Sequence, residues 1–240
     1  MPITTVLFDL DGTLLPMDQQ TFTLAYFAEL GKKLAPHGYI QEELVKALWA
    51  GVAAMVKNDG SRSNEAAFWE VFASIYGEKA YRDSKYFDEF YREDFNRVSA
   101  SCGHNPEAKK IVDKIKAKGL RVALPTNPLF PDSATSWRIR WAGFEPDEFE
   151  YFTTYDNSSY CKPNPKFYLE FLEKIGAKPE ECLMVGNDVA EDMIARKLGM
   201  RVFLLTPCLL NKHNEDISQF PHGDFPELLR YIEEQAHADR

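Results

Sequence analysis

The sequence predicts a doubly wound α/β fold with a mostly parallel sheet and a block of helices inserted near its start. Three observations carry that prediction. The chain opens on an apolar run, Val6-Leu7-Phe8 with Leu10, that ends in two carboxylates, Asp9 and Asp11. A long stretch follows in which apolar residues recur only at helical spacing. Beyond Pro106, short apolar runs alternate with amphipathic segments, the pattern of βαβ units joined by right-handed crossovers.

The first run reads as a strand buried on both faces of a parallel sheet. Positions two apart in a strand share a face, so Asp9 and Asp11 stand together where the chain leaves the sheet, and Gly12 allows the turn that follows. Residues 21–100 read as helical. Phe22 to Leu34 begins the block; Ile40, Leu44, Leu48, Val52 and Met55 form a stripe, Phe68, Phe72 and Ile75 another, and Phe87, Phe90, Phe95 and Val98 a fourth. Gly38, the 58–61 segment and Gly77 punctuate them. The core then resumes. A helix through Ala108, Ile111, Val112 and Ile115 stops at Gly119, and a strand follows at 120–125. Next come a helix at 133–142, a strand at 151–154, a helix through Phe167, Phe171 and Leu172 ended by Gly176, and a strand at 182–185. A helix at 190–198, a strand at 201–205 and a terminal helix at 225–234 complete the chain. The expected organisation is an α/β core of residues 1–16 and 101–240 with a helical domain of 17–100 between its parts.

Composition narrows the function. A chain of 240 residues with 45% hydrophobic residues can bury a sizeable core. A net charge of −9 argues against a nucleic-acid or anionic-membrane partner, and it means that an anionic substrate needs local cationic help. No run approaches the roughly 20 apolar residues of a membrane span, and no signal peptide opens the sequence. The four cysteines lack CxxC spacing and read as packing residues in a reducing, cytoplasmic setting.

Ligands of open α/β sheets bind beyond the carboxyl ends of the strands. Three further strand ends or helix entries carry polar residues able to meet Asp9 and Asp11 there. Thr126 and Asn127 follow the 120–125 strand, between two prolines; Lys162 sits in Cys161-Lys162-Pro163; and Gly186-Asn187-Asp188 ends the 182–185 strand, with Asp192 one turn beyond. Crowded acids repel unless a cation or a shared proton relieves them.

Asp9-x-Asp11-Gly12-Thr13, Thr126, Lys162 and Gly186-Asn187-Asp188-x-x-x-Asp192, in that order, resemble the four motifs of the haloacid dehalogenase superfamily, and the helical insertion sits where that family carries a C1-type cap. The resemblance spans essentially the whole chain. One departure is Asn187, where the family often has Asp directly after the glycine, so Asp188 becomes the expected metal ligand. The resemblance implies a Rossmann-like sheet of strand order 5-4-1-2-3. It also implies a mechanism in which Asp9 is the nucleophile, Asp11 the general acid and base, and Thr126 and Lys162 a charge clamp. Gly12 and Asn127 would lend backbone amides to a phosphate. Mg²⁺ would be held by Asp9, Asp11 through its carbonyl, and Asp188, with Asp192 either a direct ligand or a partner of one. An acid at position 11 marks the phosphatase and phosphomutase branches of the family. The expected activity is therefore Mg²⁺-dependent hydrolysis of a small phosphorylated metabolite. A phosphomutase and a non-catalytic phospho-ligand binder are the alternatives.

The inserted block holds 15 of the chain's 32 aromatic residues. They either line a pocket for an apolar or aromatic leaving group or, the simpler expectation, form the block's own core. The polar 58–64 segment is the expected substrate loop, with Arg62 holding a second anionic group, unless it is a solvated turn.

Overall fold

The computed structural model describes residues 1–238, with side chains to residue 235. Its sheet is entirely parallel. Strand β1 (Thr5–Phe8) is central, paired with β2 (Arg121–Ala123) on one side and β3 (Cys182–Gly186) on the other; β4 (Arg201–Leu205) and β5 (His222–Gly223) extend the latter side. The register sets Leu7 beside Ala123 and Met184, and Phe8 beside Val185.

The predicted runs stand in the predicted order, with a change at each edge. The 151–154 run shrinks to a single bridge between Leu124 and Phe152. The Asn157 side chain accepts the amide of Thr154 at 2.9 Å, which removes a donor that a longer ladder would need. At the other edge β5 is a two-residue strand with no apolar run to announce it.

Alternation within β1 divides the core. Val6 and Phe8 face a layer built on α5 (Pro106–Ala117) and α8 (Phe225–Ala238), with Ile111, Val112, Leu228 and Ile232. Leu7 faces α7 (Pro165–Ile175) through Phe167, Tyr168 and Phe171. Helix α6 (Asp132–Trp141) follows the loop after β2. The expected 190–198 helix is instead a turn followed by a 3₁₀ segment, Met193–Leu198. Asp188 Oδ1 accepts the amides of Ala190 and Glu191 at 2.8 and 3.0 Å, capping the turn before any α-helix forms.

Four helices make the inserted block: α1 (Gln19–Leu34), α2 (Gln41–Val56), α3 (Asn64–Tyr76) and α4 (Glu78–Glu89). Asp18 caps α1 by accepting the Thr21 amide at 2.8 Å, and Ser63 caps α3 by accepting that of Ala66 at 3.1 Å. The fourth predicted stripe spans α4, a π-helical turn (Phe90–Asp94) and a 3₁₀ turn (Phe95–Ser101). The winding changes along it, yet Phe87, Phe90, Phe95 and Val98 all remain buried. Helices α2 and α3 meet at Gly51, where a Cβ would lie 2.3 Å from the Phe68 ring. The block leaves and rejoins the core at one place: Met17 and Cys102 form an antiparallel bridge, and the Gly103 amide donates to the Pro16 carbonyl at 2.7 Å. All four cysteines are free, and no helix among the described residues is long and apolar enough to cross a membrane.

Both faces of α3 can be tested. Phe72 is fully buried whereas Ile75 is 51% exposed. Phe72→Ala is expected to lower stability by about 3–5 kcal/mol. Ile75→Ala should cost less than about 1 kcal/mol. Urea denaturation followed by circular dichroism checks both.

Candidate active site

The carboxyl ends of β1 and β3 place their acids around one buried lysine. Lys162, 1% exposed, donates to Asp9 Oδ1 and to Asp192 Oδ1, each at 2.7 Å. Asp192 Oδ2 in turn accepts the Asp188 amide at 3.0 Å, so both of its oxygens are engaged. Burial disfavours the lysine's charge, but Asp192 and Asp9 outweigh it and hold its pKa well above the ordinary value. Burial raises the Asp192 pKa. The Asp9 amide donates to the Val185 carbonyl at 2.9 Å, which fixes Asp9 as an extension of the sheet.

Gly12 follows in a left-handed conformation, φ +84°. A Cβ there would stand 2.4 Å from Asn187 Nδ2. Asn187 cannot yield easily, because its Oδ1 accepts from Thr13 at 2.9 Å and its Nδ2 donates to the Cys208 carbonyl at 2.8 Å. The Gly12 amide donates to the Leu15 carbonyl at 2.8 Å. The amide expected to serve a phosphate is thus engaged within the turn in this structure, where Gly12 contributes shape.

Asp11 stands apart from the lysine. Its Oδ2 is paired with the guanidinium of Arg138, a 1% exposed residue from α6 that also donates to Thr135 at 3.1 Å and lies 4.6 Å from the centre of the Phe130 ring. Asp11 Oδ1 is buried with no hydrogen-bond partner among the described residues. Burial raises the Asp11 pKa; Arg138 opposes the shift and Asp9 adds to it. The elevation expected from crowding beside Asp9 thus comes first from desolvation.

A cavity of about 310 Å³ opens over these groups, lined by Asp9, Asp11, Thr126, Asn127, Asp188 and Asp192 from the core and roofed by Phe22 and Trp49 from the insertion. The Thr126 hydroxyl and Asn127 Oδ1 are buried there with no hydrogen-bond partner among the described residues, while Asn127 Nδ2 donates to Glu191 at 3.0 Å. Burial pushes the Glu191 carboxyl up to about 7.

A family model for haloacid dehalogenase-like hydrolases matches residues 3–199. This chain belongs to that family. It is 26% identical to a phosphoglycolate phosphatase of Nitrosospira multiformis over 90% of this chain and 86% of the relative. It is likewise 26% identical to a pyrophosphatase PpaX of Bacillus cereus, over 78% and 76%. A 2-haloacid dehalogenase from Pseudomonas syringae superposes with a TM-score of 0.64 at 20% identity, covering 97% of this chain and 99% of that one. A phosphatase of the family from Thermococcus onnurineus gives 0.60 at 19%, covering 96% and 98%. At such identities the structural likenesses speak for the fold alone.

Haloacid dehalogenase-like hydrolases with this acid cluster invite a test of the Mg²⁺ fit. Among the described residues no three His, Cys, Asp or Glu side chains form a metal-binding group. Asp11 Oδ2 is taken by Arg138, and both Asp192 oxygens accept hydrogen bonds. Asp9, Asp188 and the Asp11 carbonyl remain, and Asp188 Oδ2 accepts no hydrogen bond from the described residues. Two carboxylates and a carbonyl suit a hard cation that keeps several waters, so the residues present fit Mg²⁺. Of the two expectations for Asp192, the geometry supports the partner of the ligand set.

Arg62 does not reach the cavity. It is half exposed and paired with Glu70. The 58–64 segment is a docking strap instead. The amides of Asn64 and Glu65 donate to the carbonyls of Ser158 and Tyr155 at 2.8 and 2.9 Å, and the Asn64 side chain donates to the Tyr160 carbonyl at 3.2 Å. The sequence reading missed Arg138, Glu191, Phe130 and Lys212, the last three on the cavity wall. Glu191, adjacent to Asp192, was within reach of motif reasoning; Arg138 sits in an ordinary helix and carries no local signal.

Lys162→Met strands two buried carboxylates and is expected to cost about 3–5 kcal/mol. The double variant with Asp192→Asn should lose clearly less than the sum of the single changes, as chemical denaturation will show. Arg62→Ala should leave KM within about twofold of the parent, because its side chain lies off the cavity wall.

Proposed function

We propose that this hydrolase cleaves the phosphate monoester of a small metabolite through a phosphoryl group carried on Asp9. One observation carries the reading: Asp9, Asp11 and the unpartnered Thr126 hydroxyl line the same cavity, with Lys162 bonded to Asp9. The phosphatase names of two relatives that span most of the chain support it.

In the first step a carboxylate oxygen of Asp9 bonds to phosphorus as the ester P–O bond breaks. The leaving oxygen takes the proton held by Asp11 and departs as the alcohol. In the second, water gives a proton to the Asp11 carboxylate while its oxygen bonds to phosphorus. The bond from phosphorus to Asp9 then breaks, releasing inorganic phosphate. Desolvation keeps Asp11 protonated further up the pH scale than a free carboxyl, as an acid for the first step requires. Arg138 aims it, since the guanidinium fixes Oδ2 and leaves Oδ1 unpartnered. Thr126 Oγ1 donates to a phosphoryl oxygen, and the Lys162 ammonium offsets the charge gathering around Asp9. Mg²⁺ held by Asp9, Asp188 and the Asp11 carbonyl would neutralise the repulsion between phosphate and carboxylate. Phe22 and Trp49 limit the water that can reach the phosphorylated site.

Phosphate release from a panel of phosphorylated metabolites tests the reading. Chelation of the metal and Asp9→Asn should each bring release to background. Asp11→Asn should lower kcat by about 10²–10⁴-fold. Release that survives Asp9→Asn overturns the proposal. A phosphoryl group trapped on Asp9 without net phosphate release points to transfer onto a second hydroxyl.

A further inference from the structure

A second cavity, of about 130 Å³, lies where the inserted block meets Leu129, Phe130 and Tyr155 of the core and shares five lining residues with the catalytic one: Phe22, Thr23, Trp49, Leu129 and Phe130. The rest of its wall comes mainly from aromatic and aliphatic side chains of α1, α2 and α3, and none is charged. We propose that this cavity receives one uncharged aromatic ring carried by the alcohol part of the substrate, which is then a phosphate monoester of a ring-bearing alcohol. The proposal rests on the phosphatase reading for the placement of the phosphate, and it adds the identity of the leaving group.

Size, chemistry and position each support it. Protein interiors pack with few voids larger than a water molecule, and a dry apolar cavity of about 150 Å³ is enough to hold benzene. The space here is that of one ring. Its hydroxyl groups are already engaged in part: Tyr26 and Tyr91 bond one another at 2.7 Å, and Thr23 donates to the Gln19 carbonyl at 2.7 Å. A charged substituent would find no counter-charge on the wall and would stay desolvated. The ring faces already present meet edge to face, Phe130 against Phe22 at 6.0 Å and against Tyr26 at 5.3 Å, an arrangement that an added ring can extend. Packing of the block accounts for Phe72, Phe90 and Phe95, each fully buried. It does not account for Trp49, which lines both cavities while remaining 51% exposed.

Equilibrium binding by calorimetry, in the presence of Mg²⁺, compares benzylphosphonate with methylphosphonate, neither of which can be hydrolysed. Benzylphosphonate should bind at least about tenfold more tightly. Val52 lines the aromatic cavity and not the catalytic one. Val52→Phe fills it, and should erase that preference while leaving methylphosphonate binding as in the parent, which also shows that the variant is folded. Kinetics on benzyl and ethyl phosphate, whose alcohols are of similar acidity, should show the same preference in kcat/KM. Equal binding of the two phosphonates by the parent overturns the inference, and so does a Val52→Phe variant that weakens both alike. Ring-selective binding with neither ester hydrolysed upholds the pocket and overturns the phosphatase reading. Hydrolysis of both esters at equal kcat/KM, with equal phosphonate binding, does the reverse.

Discussion

A single buried ammonium holds the carboxyl-end rim of the sheet together. Lys162 has almost no contact with solvent, and its charge is tolerable only because Asp9 and Asp192 flank it at hydrogen-bond distance. The dependence runs in both directions, since either carboxylate without the lysine would be an unpaired buried charge. Through Asp192 the pairing extends to the Asp188 amide, and so it fixes the turn that closes β3. The three side chains still carry more negative than positive charge. Asp188 adds to that excess, whereas Asp11 is balanced by Arg138. An excess of this sign repels a lone anion, in keeping with a chain whose overall charge is −9.

The sheet supplies the frame for this pairing and the inserted helices supply the enclosure. Parallel strands end together, so residues distant in sequence arrive at one rim, and the Asp9 amide bonded to Val185 ties two of the rim loops directly. Phe130 then links the two parts of the molecule. It carries the Arg138 guanidinium on one ring face and stands steeply inclined to the Phe22 and Tyr26 rings of α1. Alignment of Asp11 and packing of the insertion therefore share one side chain.

What could be read in advance divides along a physical line. Features set by local pattern were legible: the apolar run of β1, the glycine stops and the helical stripes of the insertion. The acids, threonine and lysine at the strand ends could be ordered because a parallel sheet gathers such ends whatever lies between them. Features set by partners far away in sequence were not. Nothing around Arg138 says that an arginine in the middle of α6 would be buried against Asp11, 127 residues away. Arg62 looked like a ligand because it is a cation in a polar loop, yet Glu70, one and a half turns along the next helix, had the prior claim. The engagement of the Gly12 amide was hidden for a related reason, since the short bridge to Leu15 has no signature in residue type. The two edges of the sheet escaped because Asn157 and a two-residue strand act below the length that periodicity can detect.

Two glycines at the rim have a consequence for how this chain can change. The space in front of Gly12 is filled by Asn187, and that in front of Gly186 by Asp192, whose carboxylate would lie 2.1 Å from an added Cβ. Neither neighbour is free to turn away, as each is pinned by hydrogen bonds at both ends of its polar group. A residue smaller than glycine does not exist, and a larger one collides with a fixed partner, so both positions are closed to drift in either direction. The backbone of the rim is thus held to one course by side chains that it cannot displace.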